Sequence, residues 1–107
     1  MGNFSFTRLE RISIMRVCID IAYADGYIDG DENDLLDEIA NDIDLTRGDM
    51  PRIHDIDFET ASNVISGLYE REKGYVRWAI MHIVEADGEH TYDEHKLVKI
   101  VDILGEL

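Results

Sequence analysis

Ala24-Asp25-Gly26-Tyr27-Ile28-Asp29-Gly30-Asp31-Glu32 joins two apolar-periodic segments, and Ala86-Asp87-Gly88-Glu89-His90-Thr91-Tyr92-Asp93-Glu94 echoes it sixty-two residues later. Carried outward at that offset, the match pairs Ile21 with Ile83, Ala24 with Ala86, Leu35 with Leu97 and Leu45 with Leu107. These positions cover two helices and the loop between them. The pattern is an internal duplication of a helix-loop-helix unit, about residues 8–45 and 71–107. With a connecting helix over about 57–70, it makes residues 1–107 a single domain.

Helical spacing runs through both units. Leu9, Ile12, Met15, Ile19 and Ala22 recur at three and four, with Ile14, Val17, Cys18 and Ile21 widening the stripe, so the first helix is expected to be largely buried. Thr7 or Ser5 is placed to cap it. Leu35, Leu36, Ile39, Ala40 and Ile43 form the stripe of the second helix. Asp57 is placed to cap the connecting helix, which carries Phe58, Ala61, Val64, Ile65, Leu68 and Tyr69. A polar break is expected around Glu70 to Gly74, before Val76, Ala79, Ile80, Ile83 and Val84 on the fourth helix. Leu97, Val98, Val101 and Leu104 give the stripe of the fifth. No apolar alternation at two marks a strand. The expected fold is all-α, a bundle of about five helices packed as two related pairs around the connecting helix.

Composition narrows the function classes. At 107 residues with 45% apolar content, the chain can bury a core without staples. The single cysteine, Cys18, excludes an internal disulfide and fits a reduced, buried thiol. No apolar run reaches the roughly 20 residues of a membrane-spanning helix, and the first residues lack a secretory core, so a cytoplasmic protein with no membrane insertion is expected. The net charge of −14 is concentrated: residues 20–59 hold fourteen acids against Arg47 and Arg52. Such a field repels nucleic-acid phosphates and attracts cations or a partner with a basic surface. Catalysis finds no support, since there is no nucleophile elbow, no phosphate-cradling glycine loop and no acid-base constellation.

The two loops carry the remaining chemistry. Gly26 and Gly88 are placed to stop helices, and Asp29 with Glu32, or Thr91 with Glu94, to box the next ones. Asp25 and Asp87 are left over, because a carboxylate at a helix C-terminus opposes the helix dipole. Each either accepts hydrogen bonds within its own turn or faces a cation. A calcium EF-hand loop is not expected, because half of its ligands are missing: the first and third positions would be Ile21 and Tyr23, which supply no oxygen ligand, in one copy, and Ile83 and Glu85 in the other. A looser site remains, built from Asp25, Asp29, Asp31, Glu32, Asp87 and Glu94 brought together by pseudo-twofold packing. Asp42 and Asp44, also at a helix C-terminus, point to a partner for the acidic surface. His54, His82, His90 and His95 show no ligand spacing and are ordinary surface or half-buried residues.

Two Ala-Asp-Gly loops about sixty residues apart, each after an apolar helix and before a Glu and a Leu-rich helix, resemble the tellurite-resistance protein B family. The likeness covers roughly Arg8 to Leu107. It implies an all-helical bundle with the acids of both loops on one face, and a role in bacterial responses to tellurite or other stress. Metal binding and assembly with partner proteins are the activities it suggests, with Asp25, Glu32, Asp87 and Glu94 as the carried-over positions. His90 departs from the family pattern, where an aliphatic residue is usual. The expected function is therefore a non-enzymatic domain that binds an unidentified divalent cation weakly, with no other cofactor, inside a stress-response assembly. The alternative is an interaction module, or nucleic-acid mimic, that uses the acidic surface 20–59 without metal.

Overall fold

A computed structural model describes residues 5–23, 30–86 and 94–107, with the side chains of residues 31, 32, 86 and 94–97 outside that description. Thr7 opens α1 (Arg8–Ala22) with a capping box. Its hydroxyl accepts from the Glu10 N–H, and the Glu10 carboxylate accepts from the Thr7 N–H. Helix α2 spans Gly30–Asp42, a 3₁₀ helix spans Met50–Asp55 with Pro51 in its first turn, and α3 spans Phe58–Ser66 behind the Asp57 cap. Helix α4 (Glu70–Ala86) and α5 (Glu94–Glu106) complete the bundle. The described residues contain no strand.

The hub is α1, not the connecting helix. It packs against α2, the 3₁₀ helix, α3, α4 and α5. The reason lies in its circumference: Ile12, Ser13, Ile14, Met15, Val17, Cys18, Ile21 and Ala22 are all buried, too many for one face. Ser13 is tolerated there because its hydroxyl donates to the Leu9 carbonyl. Around α1 gather Leu36, Ile39 and Ile43 from α2, Ala61 and Ile65 from α3, Val76, Ala79, Ile80 and Ile83 from α4, and Ile100 and Ile103 from α5.

Three expectations are corrected. The polar break at Glu70 to Gly74 is helix: the Tyr69 N–H donates to Glu72 and the Lys73 N–H to the Tyr69 carbonyl, so capping starts α4 six residues before Val76, the first residue of its apolar stripe. Leu9 and Tyr69 lie outside the core and are exposed. In α5, Val98 and Val101 face solvent at 53% and 67% exposure, while Ile100 and Ile103 face the core. That helix is apolar on both sides, and contact with α1 and α3 selects the Ile side.

The end of α2 shows why an acid stands where the dipole disfavours it. Asp44 has φ of 59°, the Asp44 N–H donates to Asn41 and the Leu45 N–H to Ala40. This is a Schellman cap with Asp in the left-handed position usually held by Gly. Asp tolerates that conformation better than most residues, which accounts for Asp44 without a partner.

Candidate functional site

Of the six candidate carboxylates, Asp25, Asp29 and Asp87 lie outside the described residues. The helix-stopping and capping assigned to Gly26, Gly88, Asp29 and Thr91 falls there too. The backbones of Asp31 and Glu32 sit in the first turn of α2, and Glu94 is the first residue of α5. Among the described residues no three His, Cys, Asp or Glu side chains gather as a metal set. The donor set is wholly carboxylate, which suits a hard cation of the calcium or magnesium type rather than a thiophilic metal. Carboxylates in the first turn of a helix are also drawn by the unsatisfied backbone N–H groups there.

The helices flanking the two loops are tied together at their far ends. Tyr75, in the second turn of α4, donates its hydroxyl to Asp42 Oδ2 at 2.9 Å, and Asp42 is the last residue of α2. Burial, and then this hydrogen bond to a carboxylate, push the Tyr75 phenol well above its ordinary value. The C-terminal end of α2 thus lies at the N-terminal end of α4, along which it packs. Asp42, expected to mark a partner surface, has an internal partner instead.

Other acids of the 20–59 block are also spoken for. Asp49 is completely buried and accepts from Arg8 Nε at 3.1 Å, from Arg11 Nε at 3.0 Å and from the Thr46 N–H at 2.9 Å. The Arg11 guanidinium, the largest influence, holds its carboxyl down to about 2. This clamp ties the start of α1 to the loop before the 3₁₀ helix, and Arg11 also donates to the Phe6 carbonyl. Asp20 pairs with Arg16 at 3.0 Å, one helical turn away. Asp57 accepts from the Thr60 N–H as a helix cap, and the Thr60 side chain first, then this N–H, lowers its carboxyl. Among the described side chains of α2, Asp34, Asp37 and Glu38 are exposed.

Cys18 is buried, and desolvation pushes its thiol up to about 12, so it stays protonated and unreactive at neutral pH. No helix among the described residues is long and apolar enough to cross a membrane. The family model described as tellurite resistance protein TerB matches residues 3–55, from the start of α1 through α2 and the 3₁₀ helix. No curated protein and no solved structure gives a significant match.

Proposed function

This chain belongs to the TerB-like family by its match over residues 3–55, and we propose that its two Asp-Gly loops together hold one divalent cation weakly. Asp25, Asp29, Asp31 and Glu32 from the first loop and Asp87 and Glu94 from the second supply the carboxylates. The observation that carries the reading is the Tyr75–Asp42 bond. Two helices packed along each other and joined at one end leave their other ends, Gly30 and Ala86, toward the same end of the bundle. Those residues border the two loops. The all-oxygen donor set favours a hard cation, and competition from helix N-termini makes the binding weak.

In this reading the protein is a non-enzymatic, cytoplasmic member of a bacterial stress-response or tellurite-response assembly. The support is the family match and the acidic charge, and the remaining face of Asp34, Asp37 and Glu38 is its docking surface for a basic partner. Amide NMR during titration of calcium, magnesium, manganese and zinc into metal-free protein tests the cation. Saturable shifts at residues 26–32 and 88–94, lost in Asp25→Asn and Asp87→Asn, are expected. Absence of saturation at millimolar metal would remove the cation and leave Asp25 and Asp87 as turn residues.

A further inference from the structure

The outer face of α4 carries a tryptophan and a methionine that the core does not use. Trp78 is 37% exposed and Met81 45%, and three residues apart they share one face of the helix. The indole is held from its own helix, with its ring centroid 5.5 Å from that of Tyr75 and 4.3 Å from that of His82. Tyr75 in turn reaches α2 through Asp42, so the indole sits on the side of α4 against which α2 packs. That neighbour supplies charge of one sign. The thirteen residues of α2 include six acids and no Lys or Arg, and none of the ion pairs among the described residues uses them. Burial and Asp42 raise the Tyr75 phenol most, and Glu38, exposed one turn before Asp42, lies close enough for its charge to add to them.

We propose that Trp78 and Met81 on α4, with Asp34 and Glu38 on α2, form one docking surface for an amphipathic basic helix of a partner protein. This rests on the acidic docking face proposed above and gives its basic partner a shape: apolar side chains toward α4, Lys or Arg toward α2. Single exposed apolar residues are ordinary, but Trp and Met one turn apart beside an all-acidic helix match both halves of such a ligand. Trp is enriched among the residues that dominate protein contacts, and Met adapts its shape to the incoming face. Charge selects the occupant. The acidic helix repels phosphate backbones and anionic lipid, and a second copy docked face to face would set acid against acid. An extended peptide would need a sheet edge, and the described residues contain no strand. Two packed helices instead offer ridges along which a third helix lies.

Trp78 is the single tryptophan of the chain, so its emission reports on this face directly. The test titrates the whole chain with a tryptophan-free peptide of about 18 Leu and Lys residues patterned as an amphipathic helix. A scrambled peptide of the same composition and phosphatidylcholine vesicles are the controls. A saturable blue shift with the patterned peptide is expected, with the scrambled peptide binding about tenfold more weakly and the vesicles without effect. By calorimetry, Met81→Glu should weaken the patterned peptide about tenfold. The double variant Asp34→Asn, Glu38→Gln should weaken it about fivefold. All three positions are exposed, so the thermal midpoint of the free protein should not move. A blue shift with the vesicles, equal binding of the two peptides, or unchanged affinity in Met81→Glu would overturn the proposal. Either of the last two, with weakening in the α2 variant, leaves the acidic docking face standing. No binding of either peptide, or no weakening in the α2 variant, would overturn both.

Discussion

The helices that precede the two Asp-Gly loops carry their core in one register, whereas the helices that follow them do not. Offset by sixty-two residues, Ser13, Ile14, Val17, Cys18 and Ile21 of α1 fall on Tyr75, Val76, Ala79, Ile80 and Ile83 of α4, and all ten are buried. Even the surface turn corresponds: Arg16 pairs with Asp20 in α1, and at the same positions Trp78 stacks on His82 in α4 with ring centroids 4.3 Å apart. After the loops the offset fails. Leu36 and Ile39 are buried in α2, but their counterparts Val98 and Val101 are exposed in α5, and Ile100 and Ile103 take the core. A helix shifted by two residues turns about 200°, so the opposite face points inward. The proposed duplication thus constrains the helices at the hub strongly and leaves the outer helix free to be chosen by its neighbours.

The largest break in this comparison comes from the core of the outer helices. Ile39→Ala and Ile103→Ala should each lower stability by about 3–4 kcal/mol in urea unfolding, since both side chains are fully buried. Val101→Ala, which the repeat pairs with Ile39, should change it by less than about 0.5 kcal/mol. A large loss at Val101 would restore the sequence register and refute the shift.

Next comes the Asp49 clamp. Asp49→Ala should cost about 2–3 kcal/mol, below the largest values for broken buried pairs because Arg8 is partly in water. The pH dependence has a defined sign. Asp49 is held down to about 2 from an ordinary 3.8, so its contribution is complete above the ordinary value and is lost as pH falls through about 2. Acid titration followed by circular dichroism should show that loss between pH 4 and 2, and Asp49→Asn should abolish this part of it.

A smaller effect sharpens the correspondence of α1 and α4. Gly74 falls where α1 has buried Ile12, and an added Cβ there meets nothing closer than an Arg77 guanidinium nitrogen at 3.8 Å. Gly74→Ala should therefore raise stability by about 1 kcal/mol in urea unfolding. Asp44→Gly should raise it by up to about 1 kcal/mol, because glycine takes the positive φ without a Cβ penalty. A loss in either variant would contradict the local geometry described.

Period and capping made most of the fold legible in the sequence. The Thr7 and Asp57 caps, the three-and-four spacing of α1 and the lack of strand alternation are local signals, each confined to one or two turns. The face of α5 was illegible because Leu97, Val98, Val101 and Leu104 make as good a stripe as Ile100, Ile103, Leu104 and Leu107. Only packing on α1 and α3 separates them. The fate of the acids was illegible for another reason. Asp49 meets Arg8 and Arg11 across about forty residues, and Asp42 meets Tyr75 across 33, so charge density alone overstated the free acidic surface.

The most direct measurement is calorimetric titration of calcium into the metal-free chain and into Asp25→Asn and Asp87→Asn separately. One cation per chain, lost in both single variants, is the result this account predicts, because the two loops share the ion. Two cations per chain, one surviving in each variant, or no binding at all, would contradict it.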